Sequence, residues 1–122
     1  FARWDPRVLR DYAEHCTIPD GRGQRTLLFD RDIEFQIYRS LPTARVAAAA
    51  SQLDLPISFI GGRQSRELRH IGLGATLALV GPRFTWTAGS HLFPMENPDD
   101  TARLIRAAID TMCEATSIGA IG

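Results

Sequence analysis

The groups in this 122-residue sequence that could carry chemistry are three histidines, two cysteines, fourteen acidic side chains and a scatter of serines. Most lack a partner at useful spacing. Cys16 and Cys113 belong to no C-x-x-C pair and no histidine/cysteine cluster, so neither structural zinc nor a redox couple is indicated and no metal is expected. Both recur with apolar residues at helical spacing and read as core residues. His15 and His70 read as ordinary surface or partly buried side chains. His91 is different, because Gly89-Ser90-His91 follows directly on Arg83-Phe84-Thr85-Trp86-Thr87, an alternation typical of a strand with one buried face. A histidine that a glycine turn hangs beyond a strand end lies close to where a neighbouring strand could present a nucleophile. None of Ser40, Ser51, Ser58, Ser65, Ser90 and Ser117 lies in the G-x-S-x-G frame that presents such a nucleophile.

The elements that must position His91 are legible in outline. Asp5-Pro6 starts a helix, aspartate accepting from free backbone N–H groups and proline tolerating the first helical position. Val8, Leu9, Tyr12, Ala13 and Cys16 then recur on one face. Thr17 to Arg25, with Pro19-Asp20-Gly21 and Gly23, reads as a turn-rich connection, and Leu27-Leu28-Phe29 as an apolar run too brief for a core strand. Asp30 precedes a second helical pattern through Ile33, Ile37, Tyr38 and Leu41, which Pro42 ends or bends. Ala47 to Ala50 favours helix, although a linker is the alternative. Leu55 to Ile60 is a compact apolar run that predicts a buried strand, stopped by Gly61-Gly62. Without a lysine or a further glycine frame these two glycines are a strand terminator, not a phosphate loop. Ser65 to Ile71 reads as a helix, and Gly81-Pro82 as a turn before the strand that leads to His91. Pro98-Asp99-Asp100 opens the clearest helix, with Ala102, Leu104, Ile105, Ala108, Ile109 and Met112 on one face and Arg103, Arg106, Asp110 and Glu114 on the other. Glu96 is expected to cap or charge the start of that helix.

Strand, helix, strand, helix is the alternation of a parallel sheet covered by helices, so the fold class is α/β. Two such strands leave unpaired backbone and apolar surface, so a preceding segment is expected to supply the others, and the chain is not expected to be stable without it. Residues 1–52 are expected to form a helical passage and residues 53–122 the strands and helices of the core. The chain begins at Phe1 without a methionine, within what reads as structured sequence. The fourteen basic residues are all arginine, balance the acids and are spread without aromatic interleaving, which removes the electrostatic case for nucleic acid. No apolar run is long enough to span a bilayer.

Gly89-Ser90-His91-Leu92-Phe93-Pro94-Met95-Glu96-Asn97-Pro98 with the amphipathic helix after it resembles the G-x-H and downstream E-x-P segment that closes many α/β-hydrolase-fold enzymes. Pro56 to Gly62 resembles the penultimate core strand of that fold. Trp4-Asp5-Pro6-Arg7-Val8-Leu9 resembles the lid-to-core passage of a fungal branch similar to peroxisomal lipases and toxin-biosynthesis hydrolases. The resemblance implies the C-terminal portion of the fold: its last two parallel core strands with flanking helices, after the end of the lid or cap. It also implies a serine hydrolase acting on an ester, thioester or related acyl substrate, with no cofactor. His91 would be the base of a Ser-His-acid triad completed by an N-terminal segment that carries the nucleophile elbow, on a separate chain or elsewhere in the same one. Many members place the acid in G-x-x-D, but here the matching residues are Gly62-Arg63-Gln64-Ser65. The acid is then expected from an earlier strand, with Glu67 as the alternative within this chain. Leu92, Phe93 and Trp4 are substrate-pocket candidates for a small apolar acyl group. A non-hydrolytic step of fungal secondary metabolism and a catalytically silent binding module are the competing readings. A cytoplasmic location is expected. The resemblance admits a peroxisomal one, although Ile118 to Gly122 carries no S-K-L-like signal.

Overall fold

Asp5 begins the first helix as its chemistry requires, its carboxylate accepting the Arg7 N–H at 2.8 Å ahead of α1 (Pro6–His15). The computed structural model describes residues 1–40, 48–50 and 52–119, a mixed α/β arrangement with one antiparallel and one parallel two-stranded sheet. The rings of Phe1, Trp4 and Tyr12 meet edge-on or tilted over α1, with centroids 5.0–5.8 Å apart. The expected turn-rich connection proves to be a hairpin of β1 (Thr17–Pro19) and β2 (Arg25–Leu27). Asp20 closes it by accepting from the N–H groups of Arg22 and Gln24, and Arg25 donates to the Thr17 hydroxyl and carbonyl oxygens. Three-residue strands with no buried face leave no alternating pattern to find in the sequence. Asp30 caps α2 (Arg31–Arg39) through the N–H groups of Asp32 and Ile33. The expected break at Pro42 lies outside the described residues, as do Leu41 and Ala47, while Ala48 to Ala50 are helical.

The central unit runs β3 (Phe59–Gly62), α3 (Arg66–Ile71), α4 (Leu73–Val80), one turn of 3-10 helix at Gly81–Arg83, and β4 (Phe84–Thr87). The strands pair in parallel from Phe59 opposite Phe84 to Gly62 opposite Thr87. Phe59 and Phe84 stack at 5.4 Å, and Phe84 meets Trp86 at 4.8 Å. The expected strand starts too early. Leu55 to Ser58 lie outside the sheet because Pro56 has no N–H to give a ladder. They are tied to the 3-10 turn ahead of β4 by Ser58, whose hydroxyl donates to the Arg83 carbonyl at 2.9 Å, and by Arg83, whose guanidinium donates to the Ile57 carbonyl at 2.8 Å. Gly61 and Gly62 are not terminators but the last two residues of β3. At Gly61 a Cβ would lie 2.7 Å from the Leu68 side chain and 3.0 Å from the Phe84 ring. Helix α4 is a further difference, its uniformly apolar composition giving no helical period to read.

The chain closes with α5 (Phe93–Glu96) and the long α6 (Pro98–Gly119). Its start is bound to the N-terminal stretch, because Asp5 N–H donates to the Met95 carbonyl at 2.9 Å and Arg7 bridges Asp5 and Asp99 at 3.0 and 2.8 Å. The Asp5 carboxyl is held below the usual aspartate range chiefly by the Arg7 side chain. The apolar face of α6 is only partly covered, Leu104, Ala108 and Met112 being half-buried while Ile105 and Ile109 keep nearly half their surface in water. Cys16 and Cys113 are exposed rather than in a core, because little is laid over the helix faces that carry them. Val80 is the one fully buried apolar side chain among the described residues. The chain exposes 9824 Å², whereas a folded monomer of this mass exposes about 6,500 Å². No helix among the described residues is long and apolar enough to cross a membrane.

Two glycine-to-alanine substitutions are expected to act in opposite directions. Gly62→Ala drives a methyl group into the Ser90 carbonyl and should destabilise by about 1–3 kcal/mol. Gly74→Ala, in α4 with nothing within 4 Å of its added carbon, should stabilise by about 0.5 kcal/mol. Urea midpoints at unchanged slope measure both.

Candidate functional site

Parallel pairing brings the segments that follow β3 and β4 to the same edge of the sheet, where side chains of α/β proteins meet their ligands. Backbone hydrogen bonds stitch these segments together beyond the strands. Arg63 N–H donates to the Thr87 carbonyl at 2.9 Å, and Gln64 N–H to the Gly89 carbonyl at 3.0 Å. The approach is close enough that a Cβ on Gly62 would overlap the Ser90 carbonyl and lie 2.7 Å from that of Gly89. At Gly89 the backbone turns with a φ of +111°, a conformation that side chains rarely adopt. A Cβ there would also lie 2.7 Å from a Glu96 carboxylate oxygen and 2.8 Å from Phe93. The glycine turn read before His91 is thus present, and the structure adds what holds it.

Glu96 is that holder. Its side chain keeps 6 % of its surface in water. It accepts the Ser90 N–H at 2.9 Å and the Ser90 hydroxyl at 2.7 Å, and pairs with Arg3 at 3.2 Å. Burial works to raise its pKa, but the two Ser90 donors and the Arg3 charge outweigh it and leave the carboxyl below the usual glutamate range. The residue expected to cap the last helix instead clamps the turn that carries His91. At the head of that helix Thr101 donates its hydroxyl to the Asn97 carbonyl at 2.8 Å. The sequence singled out Glu96 in its E-x-P pattern, but nothing in that spacing says that the carboxylate turns back onto Ser90.

Ser65 occupies the buried end of the opposite segment, with 2 % of its surface exposed. Its hydroxyl oxygen accepts the Leu68 N–H at 3.1 Å, capping α3, and its O–H donates to Glu67 Oε2 at 3.3 Å. Ser65 is therefore an N-cap and a support for Glu67. Glu67 lies in the first turn of α3 and is exposed. Its carboxyl sits below the usual glutamate range, through its own backbone N–H first, against some burial, then through the neighbouring His91 ring and the Ser65 hydroxyl. No hydrogen bond joins Glu67 to His91, which is itself exposed. The two are neighbours at one mouth: Glu67 and His91 line the same cleft of about 410 Å³ with Phe59, Leu68, Ala75 and Phe93. They are its two ionisable side chains among the described residues.

Of the pocket candidates, Phe93 lines this cleft, whereas Leu92 remains 45 % exposed beside it and Trp4 lies in the Phe1–Tyr12 ring cluster. His15 and His70 are exposed, as read from their context. No group of three or more histidine, cysteine, aspartate or glutamate side chains among the described residues could hold a metal ion. The site is thus an apolar cleft with a histidine and a carboxylate at its rim, suited to proton transfer to and from a reacting group.

Replacing Glu96 by glutamine should cost about 1.5–3 kcal/mol at neutral pH, since the charge is lost and one of the two acceptor oxygens becomes an NH2 group set against a donor. A carboxyl lowered in the folded state stabilises fully above the unfolded glutamate pKa and loses that contribution as pH falls through its lower folded value. The gap between the native chain and Glu96→Gln should therefore narrow below about pH 4, as paired urea titrations at neutral and acid pH would show. Compared with known proteins, the chain matches no family model, no curated protein and no solved structure.

Proposed function

We propose that this chain is the histidine-bearing portion of a serine hydrolase of the α/β-hydrolase type, acting on an ester, thioester or related acyl substrate. The observation that carries the reading is the meeting of His91 and Glu67 at one apolar cleft, on segments that leave the carboxyl ends of two adjacent parallel strands. In this reading His91 takes the proton of a serine hydroxyl as the serine attacks the acyl carbon, and returns it to the leaving group. The serine and the oxyanion-hole donors come from another segment of the enzyme, together with the strands that complete the sheet. The exposed surface supports that dependence: Ile33, Phe35, Ile37 and Tyr38 on α2 and Ile105 and Ile109 on α6 are 47–69 % exposed, apolar area that a folded domain normally covers. Phe59, Leu68, Ala75 and Phe93 give the cleft the character of a seat for a small apolar acyl group. The roles need no metal or organic cofactor.

Labelling of the full-length protein by a fluorophosphonate tests the reading. The native protein should be labelled on a serine outside residues 1–122, and His91→Ala should slow labelling by roughly 10³-fold or more. Labelling of His91→Ala at the native rate would sink the proposal.

A further inference from the structure

We propose that Glu67 is the positioning carboxylate of His91 and that the buried Ser65 hydroxyl sets its orientation, so that the histidine's acid is supplied from within this chain. The inference rests on the function proposed above for His91 and adds the partner that orients it. Three observations carry it.

The first is the fixed separation of the two segments. Gly62 admits the Ser90 carbonyl where any side chain would exclude it, and the Arg63 and Gln64 N–H groups bind the Thr87 and Gly89 carbonyls at 2.9 and 3.0 Å. The backbone that carries Glu67 therefore cannot drift from the backbone that carries His91. The second is the cleft itself, whose rim holds Glu67 and His91 as its ionisable groups among the described residues. The third is elimination of the other nearby carboxylate. Glu96 has one oxygen on the Ser90 hydroxyl and the other on the Ser90 N–H and Arg3, behind the turn rather than at the cleft.

Ser65 explains how a glutamate two residues farther along serves where a shorter acid is absent. With its hydroxyl oxygen engaged by the Leu68 N–H, the Ser65 proton is directed to Glu67 Oε2. The carboxylate also feels the Glu67 and Arg66 backbone N–H groups, so an imidazole N–H would share it with the start of α3. The charge effect of His91 on Glu67 agrees with this proximity. Both side chains are exposed, and no hydrogen bond joins them. Covering the cleft with substrate lowers the dielectric around them and strengthens their attraction, and apo histidine–acid contacts commonly close in this way.

Two measurements on the full-length protein decide the matter. Carbon-13 NMR titration of the Glu67 carboxyl should show its midpoint rising toward the ordinary glutamate range in His91→Ala. An unchanged midpoint overturns the pairing whatever the enzyme does. Fluorophosphonate labelling should slow by roughly 10²–10⁴-fold in Glu67→Gln, less in Ser65→Ala, and recover in part in Glu67→Asp, with thermal unfolding of the exposed-site variants unchanged. Native-rate labelling of Glu67→Gln overturns the positioning role while leaving the hydrolase reading intact. If the native protein takes no label, the hydrolase reading fails and the titration alone decides whether Glu67 and His91 are partners.

Discussion

A carboxylate withdrawn from water must have its oxygens occupied, and Glu96 meets that demand with a backbone N–H, a hydroxyl and a guanidinium. Two of these donors belong to Ser90 and the third to Arg3, so one side chain fixes the turn before His91 and ties the start of the chain to it. Glycine is required at position 89, because its backbone passes against Glu96 and Phe93 with no room for a side chain. Arg7, bridging Asp5 and Asp99, repeats the link between the first helix and the last at a more exposed position. Exposed pairs contribute little stability. The Glu96 clamp is the stronger constraint because it is shielded.

The same economy of burial limits the rest of the structure. With a single fully buried apolar side chain among the described residues and large apolar residues open along α2 and α6, the described elements are organised by hydrogen-bonded edges more than by a core. Parallel strands so lightly covered are an uncommon arrangement, since such sheets are ordinarily buried on both sides. The cleft beside β3 and the open apolar face of α6 follow from the same strands that lead to His91, and this is why function and completion of the fold are linked in the proposal.

Legibility in the sequence followed the range of the interaction responsible. Asp5, Asp30 and Ser65 sit at helix starts whose caps are formed within three residues, and the first two were readable as such. The strand before His91 was readable because Phe84 to Thr87 alternates, and the turn after it because Gly89 precedes it. Gly61 and Gly62 misled, since two glycines in succession normally stop a strand, whereas here Leu68, Phe84 and the Ser90 backbone occupy the space that side chains would take. Cys16 and Cys113 misled for the opposite reason: their helical spacing implied burial that needs a covering surface.

Local chemistry in the sequence alone thus determined the α/β alternation, the first helices and the placing of His91 after a strand and a glycine turn. Only the tertiary structure decided which groups surround that histidine. Ser65 was an apparent vacancy in a motif until its hydroxyl was seen between Leu68 N–H and Glu67, and Glu96 was a helix-end charge until it was seen on Ser90. The nearness of Glu67 to His91 joins residues 24 apart in the chain, and it exists because parallel pairing lays the ends of two strands side by side, a relation that no local spacing can encode.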